Sequence, residues 1–225
     1  MLEGAKLRIS HDLNLALARR PRFVVLATPR SGTAFIARYL TSIGIACTHE
    51  GYFTPEGPTL RNRDRPFGTR GDASWMAVPF AQELDMVRLH QVREPLAVVR
   101  SLVKTGHFEP SLRERYRRYT DFIARHFEVS EDPVDSALRF YLEWNERAEA
   151  AAQLRYRIED LAAALPEILE AIGERPRGAS AAVPTDFNSR DSAVGEDWQA
   201  GLEERIRAHP RFGELSEIRR RYGYC

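Results

Sequence analysis

The sequence predicts an α/β fold: a single domain with a central parallel β-sheet flanked by helices. Residues 22–27 (RFVVLA) form a short apolar, β-branched run, the kind that makes a strand buried on both faces. A turn at 28–33 follows, and then Phe35, Ile36, Tyr39, Leu40 and Ile43 recur at helical spacing. The same strand-then-helix order returns twice further along the chain. Such alternation implies parallel strands covered by helices on both sides.

Taken in order, the first strand leads through the turn into a helix over 34–43, which Gly44 ends. Residues 45–48 read as a second strand, closing at His49 and Glu50. Residues 52–71 are rich in Gly, Pro, Arg and Asn without periodicity and read as a long loop. Residues 86–92 are the third strand, and Pro95 suits the first position of a helix running to about 104. Residues 112–127 and 134–152 have helical patterns, and 153–158 a strand pattern. A helix with Pro166 at its first turn runs to Ile172 and stops at Gly173. Residues 174–192 read as loop, and 196–208 as the final helix. No internal repeat or low-complexity linker divides the chain, so 1–225 reads as one domain.

Composition narrows the function. With 43% hydrophobic and 29% charged residues, the 225-residue chain is ordinary for a globular protein. A net charge of +1 gives no global field toward nucleic acid or an anionic membrane, so neither is expected as a partner. The two cysteines, Cys47 and Cys225, fit neither a disulfide framework nor a metal-ligand spacing, so no metal is expected and the compartment reads as reducing. Residues 1–20 mix Glu3, Lys6, Arg8 and Asp12 among apolar residues, unlike a signal peptide, and no apolar stretch is long enough to span a bilayer. The expected location is cytoplasmic.

The chemistry concentrates in two motifs. A strand, a tight turn containing Gly32 and a helix opening at Thr33 make an anion site, because backbone N–H groups at a helix N-terminus are unpaired and carry partial positive charge. Arg30 adds a full charge; Ser31 and Thr33 add hydroxyls. The loop lacks the first glycine and the lysine of a Walker A motif. The second motif is Arg93-Glu-Pro-Leu-Ala-Val-Val-Arg-Ser101, where an Arg at a strand end and a Ser two turns into the next helix can face one anion.

Together these motifs resemble those of sulfotransferases. Pro29-Arg30-Ser31-Gly32-Thr33-Ala34-Phe35 is similar to the family's 5′-phosphosulfate-binding loop, although Ala34 replaces a frequent hydroxyl residue. Arg93, Pro95 and Ser101 match the spacing of its 3′-phosphate motif. The segment 156–161 (YRIEDL) is similar to a late family segment, and Gly71-Asp-Ala-Ser-Trp75 and 141–145 (YLEWN) have the flavour of small bacterial members. The resemblance implies a P-loop-like sulfotransferase fold that binds 3′-phosphoadenosine 5′-phosphosulfate (PAPS) and releases 3′-phosphoadenosine 5′-phosphate (PAP). Cofactor contacts would come from residues 30–35, Arg93 and Ser101. Arg190, in Asn188-Ser-Arg190, stands where members often have a basic closing segment, but the family's Arg-Lys-Gly form is absent.

Sulfuryl transfer to a hydroxyl needs in-line geometry, a cation where charge develops and a general base. Arg30 fills the electrostatic role only, since arginine does not give up its proton at neutral pH. Glu50 is the first candidate base, because it follows the second strand at the ligand edge of the sheet, and Golgi-type and tyrosylprotein sulfotransferases resemble this placement. His49 and His107 are the other candidates. The expected acceptor is a small molecule or carbohydrate bearing a hydroxyl, with Tyr52, Phe53, Phe67, Trp75 and Phe108 either stacking on it or packing in the core. The run 113–118 reads as the wet face of a helix whose Tyr116, Tyr119 and Phe122 face inward. A kinase-like nucleotide enzyme is disfavoured, because the third strand ends Gln91-Val92-Arg93 and offers no acidic metal ligand. A non-catalytic nucleotide-binding protein of the same fold stays open.

Overall fold

A computed structural model describes residues 21–59, 69–108, 117–176 and 196–224. Five parallel strands form the central sheet: β1 (Phe23–Leu26), β2 (Cys47–His49), β5 (Gly71–Ala73), β6 (Val87–Val92) and β7 (Leu154–Arg157), in the order β2-β5-β1-β6-β7. A two-stranded antiparallel ribbon, β3 (Phe53–Thr54) with β4 (Gly57–Pro58), stands beside it. The helices are α1 (Thr33–Ser42), α2 (Pro95–Lys104), α3 (Arg117–His126), α4 (Pro133–Ala151), α5 (Leu161–Ile172), α6 (Glu196–Ala208) and α7 (Phe212–Arg221), with a 3₁₀ segment at Trp75–Glu83.

Alternation along the strands divides the core in two. Phe23, Val25 and Leu89 face the side covered by α1 and α5, where Phe35, Ile36, Leu40 and Ile168 pack. Val24, Leu26 and Val92 face the side covered by α2, α4 and the 3₁₀ segment. On that second side Trp144 stacks on Phe140 at 4.3 Å and its indole N–H donates to the Trp75 carbonyl at 2.8 Å. Burying one such indole contributes an upper bound of about 4–6 kcal/mol. The bond carries that rigidity to Trp75, which reaches the functional cleft.

Two helix starts close themselves with a side chain. Glu94 accepts the Ala97 N–H at 2.6 Å and Asp132 the Val134 N–H at 2.9 Å, each followed by proline at the first helical position. The start of α1 differs: its cap is Gly32 at φ 88°, with no side-chain bond.

The structure corrects several expectations. The stretch 52–71 is not all loop, since it contains the β3–β4 ribbon and leads into β5, a strand inserted between β2 and β1. Pro166 lies inside α5 rather than at its start; the helix begins at Leu161, directly after a 3₁₀ turn at Ile158–Asp160. The helix at 196–208 is followed by α7. Residues 60–68, 109–116 and 177–195, with Phe67, Tyr116 and Arg190, lie outside the described residues.

Candidate active site

The loop between β1 and α1 is held from below. Thr28 and Ser31 share a hydroxyl hydrogen bond at 2.6 Å, and the Ser31 N–H donates to the Thr28 carbonyl at 3.2 Å. The fully buried Gln91 of β6 donates to the Ser31 carbonyl at 2.6 Å and accepts from the Tyr156 hydroxyl of β7 at 2.8 Å. Gly32 packs so closely on the β7–α5 junction that a Cβ there would lie 2.2 Å from Ile158 Cδ1. The result is a fixed turn whose Gly32, Thr33 and Ala34 N–H groups have no acceptor among the described residues. The Phe35 N–H is taken by the Gly32 carbonyl at 3.0 Å and its side chain is buried, so of the expected loop contacts Phe35 belongs to the core.

Arg30 has φ 70° and Glu50 φ 55°; they are the non-glycine residues with positive φ among those described. Left-handed backbone at such residues costs about 1–3 kcal/mol and marks functional sites. The second motif meets the first here. Arg30 Nε donates to Ser101 Oγ at 2.9 Å, and Arg93 Nη1 donates to the Arg30 carbonyl at 3.0 Å. Arg93 and Ser101 therefore hold Arg30 at its carbonyl and its guanidinium, which ties the second motif to the first.

Arg30 and Glu50 both line a cleft of about 610 Å³, together with Thr33, Ala34, Arg38, His49, Trp75, Thr105, His107, Tyr119 and Ile123. Burial pushes the Glu50 carboxyl up to about 7; nearby Asp72 adds to the rise, and hydrogen bonds from Trp75 and Tyr119 oppose it. The Tyr119 hydroxyl donates to Glu50 Oε2 at 3.4 Å. His49 Nε2 lies 3.3 Å from Glu50 Oε1 and 3.1 Å from Thr33 Oγ1. Desolvation in the cleft, with the Arg38 charge, lowers His49 to about 4, so this neighbour of Glu50 is neutral at pH 7 and the close contact is not an ion pair. His107 is lowered to about 4 by burial and the Arg30 charge. The Thr105 hydroxyl lies 2.7 Å from both the Ser101 carbonyl and His107 Nδ1. One hydroxyl proton serves the carbonyl, so His107 is protonated on Nδ1 and keeps a lone pair on Nε2.

No family model matches the chain, and no curated protein matches it. Among solved structures it is similar to a sulfotransferase from Alicyclobacillus acidocaldarius, at 18% identity over 92% of this chain and 97% of that one, with a TM-score of 0.51. The chain has the sulfotransferase fold. A mouse sulfotransferase complexed with PAP is a looser likeness, at 14% identity over 89% of each chain and a TM-score of 0.44.

Within the sulfotransferase fold, the structure brings Arg30, Thr33, Ala34, His49, Glu50 and His107 to one cleft, with Ser31 buried beneath it. Sequence reasoning missed several contributors. Arg38 lies one helical turn beyond Ala34, a spacing that could have flagged it. Tyr119 is not an inward core residue: it is 38% exposed and bonds Glu50. Gln91 and Asp72 are polar residues inside strands, which only their contacts explain. Of the aromatics expected near an acceptor, Trp75 lines the cleft, whereas Phe53 and Phe108 are core and Tyr52 packs against it. Among the described residues no helix is long and apolar enough to cross a membrane.

Proposed function

We propose that the protein is a PAPS-dependent sulfotransferase acting on a hydroxyl acceptor. The observation that carries this reading is the pairing, in one cleft, of a strained and braced Arg30 beside an uncapped helix N-terminus with a strained Glu50 whose carboxyl titrates near neutrality. The residues present fit the donor: Gly32, Thr33 and Ala34 offer N–H groups to its 5′-phosphate, while Arg93 and Ser101 stand beside Arg30 where the 3′-phosphate motif is expected. The donor supplies the sulfuryl group, which passes to the acceptor oxygen as the S–O bond to the 5′-phosphate breaks and that phosphate keeps the electron pair.

The chain's part is to place charge and to move one proton. Glu50, ionised in half the molecules near pH 7, accepts the acceptor's hydroxyl proton. Arg30 stays charged throughout and stabilises the oxygens on which negative charge grows. Neutral His49 lies beside Glu50 Oε1 without placing a positive charge there. Trp75, Tyr119 and Ile123 line the cleft around Glu50 and offer ring and aliphatic surface to an acceptor.

Thermal stabilisation by PAP, with ATP and Mg²⁺ for comparison, tests the donor site. At a hundredfold excess over Kd, binding adds about 2.7 kcal/mol and raises Tm by about 5–10 °C. PAP is expected to stabilise the wild type and to lose this effect in Arg93→Ala, while labelled PAPS transfers sulfate in the wild type and not in Glu50→Gln. Stabilisation by ATP and Mg²⁺ instead of PAP would replace this reading with a kinase-like one.

A further inference from the structure

We propose that Asp72 is the positioning residue for Glu50: its buried carboxylate folds the loop that follows β2 and aims the base into the cleft. The inference rests on Glu50 being that base. Asp72 sits in the middle of β5, 0% exposed, between β2 and β1. Its Oδ1 accepts the Thr48 hydroxyl at 2.8 Å and the Gly51 N–H at 2.9 Å. Its Oδ2 accepts the Tyr52 N–H at 3.1 Å and the Phe53 N–H at 3.0 Å. Three consecutive N–H groups thus converge on one carboxylate, a pattern that stabilises a charge otherwise very costly to bury.

For residues 51–53 to wrap in this way, the chain must reverse just before them, and it does so at Glu50, at φ 55°. The Glu50 N–H is bonded to the Ala73 carbonyl at 3.2 Å. β5 therefore pins the base residue on both sides, through Ala73 at its own amide and through Asp72 at the next three. The same carboxylate seats the β3–β4 ribbon, whose Glu56 and Pro55 carbonyl bind Arg118 and Arg125 of α3. α3 carries Tyr119, which bonds Glu50 from the far wall. One side chain sets both the base and the surface opposite it.

The groups facing Glu50 are His49 from β2, Asp72 from β5, Trp75 from the 3₁₀ segment and Tyr119 from α3. Arg30, Arg38 and His107 line the rest of the cleft. Asp72 is the second negative charge in this set, and it raises the Glu50 carboxyl beyond what burial does.

The test uses Asp72→Asn, which removes the charge and turns an NH₂ toward amides that need an acceptor, and Thr48→Val, which deletes one of the four donors and leaves the charge. Three quantities are measured in the full chain: the Glu50 titration midpoint by ¹³C NMR, assigned with Glu50→Gln; the PAP-induced thermal shift; and kcat against pH. In Asp72→Asn the Glu50 midpoint is expected at lower pH than in wild type. Its kcat is expected to drop by about 10–100-fold, as for a misplaced catalytic group, with the PAP shift retained. In Thr48→Val a drop of about 3–10-fold is expected with PAP binding intact, and this variant carries the test if Asp72→Asn does not fold. A lower Tm with an unmoved Glu50 midpoint and unchanged kcat per folded molecule would make Asp72 purely structural and overturn the proposal. If the wild type transfers sulfate to no acceptor, the functional reading fails by itself, and the Glu50 titration still decides what Asp72 does.

Discussion

Gly32→Ala and Ile158→Val, made singly and together, test how the anion loop is built. At Gly32 an added methyl meets two separate obstacles. The φ of 88° is left-handed, which costs an L-residue about 1–2 kcal/mol. The new Cβ would also lie 2.2 Å from Ile158 Cδ1, an overlap that forces repacking at about 1–3 kcal/mol. The next atoms are far enough to accept it, Gln91 Nε2 at 3.5 Å and Ile158 Cγ1 at 3.7 Å. Ile158→Val alone deletes a buried methyl and costs about 0.5–1.5 kcal/mol. In the double variant the overlap has gone and the backbone cost remains, so the two changes should be coupled favourably by about 1–3 kcal/mol. Urea denaturation of the four proteins measures the coupling. Strictly additive losses would show that Gly32 is required only for its dihedral angles and that the β7–α5 junction does not hold the loop. PAP binding is expected to weaken in Gly32→Ala and to recover partly in the double variant.

Two further outcomes follow from the same site. The Glu50 carboxyl is raised from its ordinary 4.5 to about 7, so the folded state holds a proton that the unfolded chain has released, and stability falls as pH rises between those values. Glu50→Gln is therefore expected to match the wild type below pH 4.5 and to exceed it by about 3 kcal/mol above pH 7, at about 1.4 kcal/mol per pH unit; a difference in thermal stability that does not vary with pH would contradict the assigned titration. Gln91→Leu keeps the volume but strands the Ser31 carbonyl and the Tyr156 hydroxyl, so chemical denaturation should show a loss of about 2–5 kcal/mol.

What the sequence revealed divides along a physical line. β1 was legible as an apolar, β-branched run, and α1 and α4 because apolar residues recur at helical spacing, signals that survive in one dimension. β5 was not legible: it is three residues, Gly71, Asp72 and Ala73, and its strand character comes from lying between β2 and β1 rather than from its own side chains. Pro166 misled because it suits a first turn, while a 3₁₀ turn had already started the helix five residues earlier. The sequence showed Arg30, Arg93 and Ser101 as two anion motifs; that the second grips the first depends on β1 and β6 being neighbours. Glu50 could be picked out from its place at a strand end, but its raised carboxyl and its clamp at Asp72 exist only once the sheet has assembled.

The strand order has a consequence for cooperativity. The anion loop hangs from β1, at the centre of the sheet with a partner on each side, whereas Glu50 hangs from β2, a three-residue edge strand whose partner in the sheet is β5. β2 therefore has no seat in the sheet until the chain has run on through residue 73. Amides of residues 47–53 should exchange with solvent through smaller openings than those of 23–26, because edge segments open locally at lower free energy than central ones. On the proposed reading, the donor would then sit in a firm cradle at β1, and the acceptor would meet a looser margin at β2.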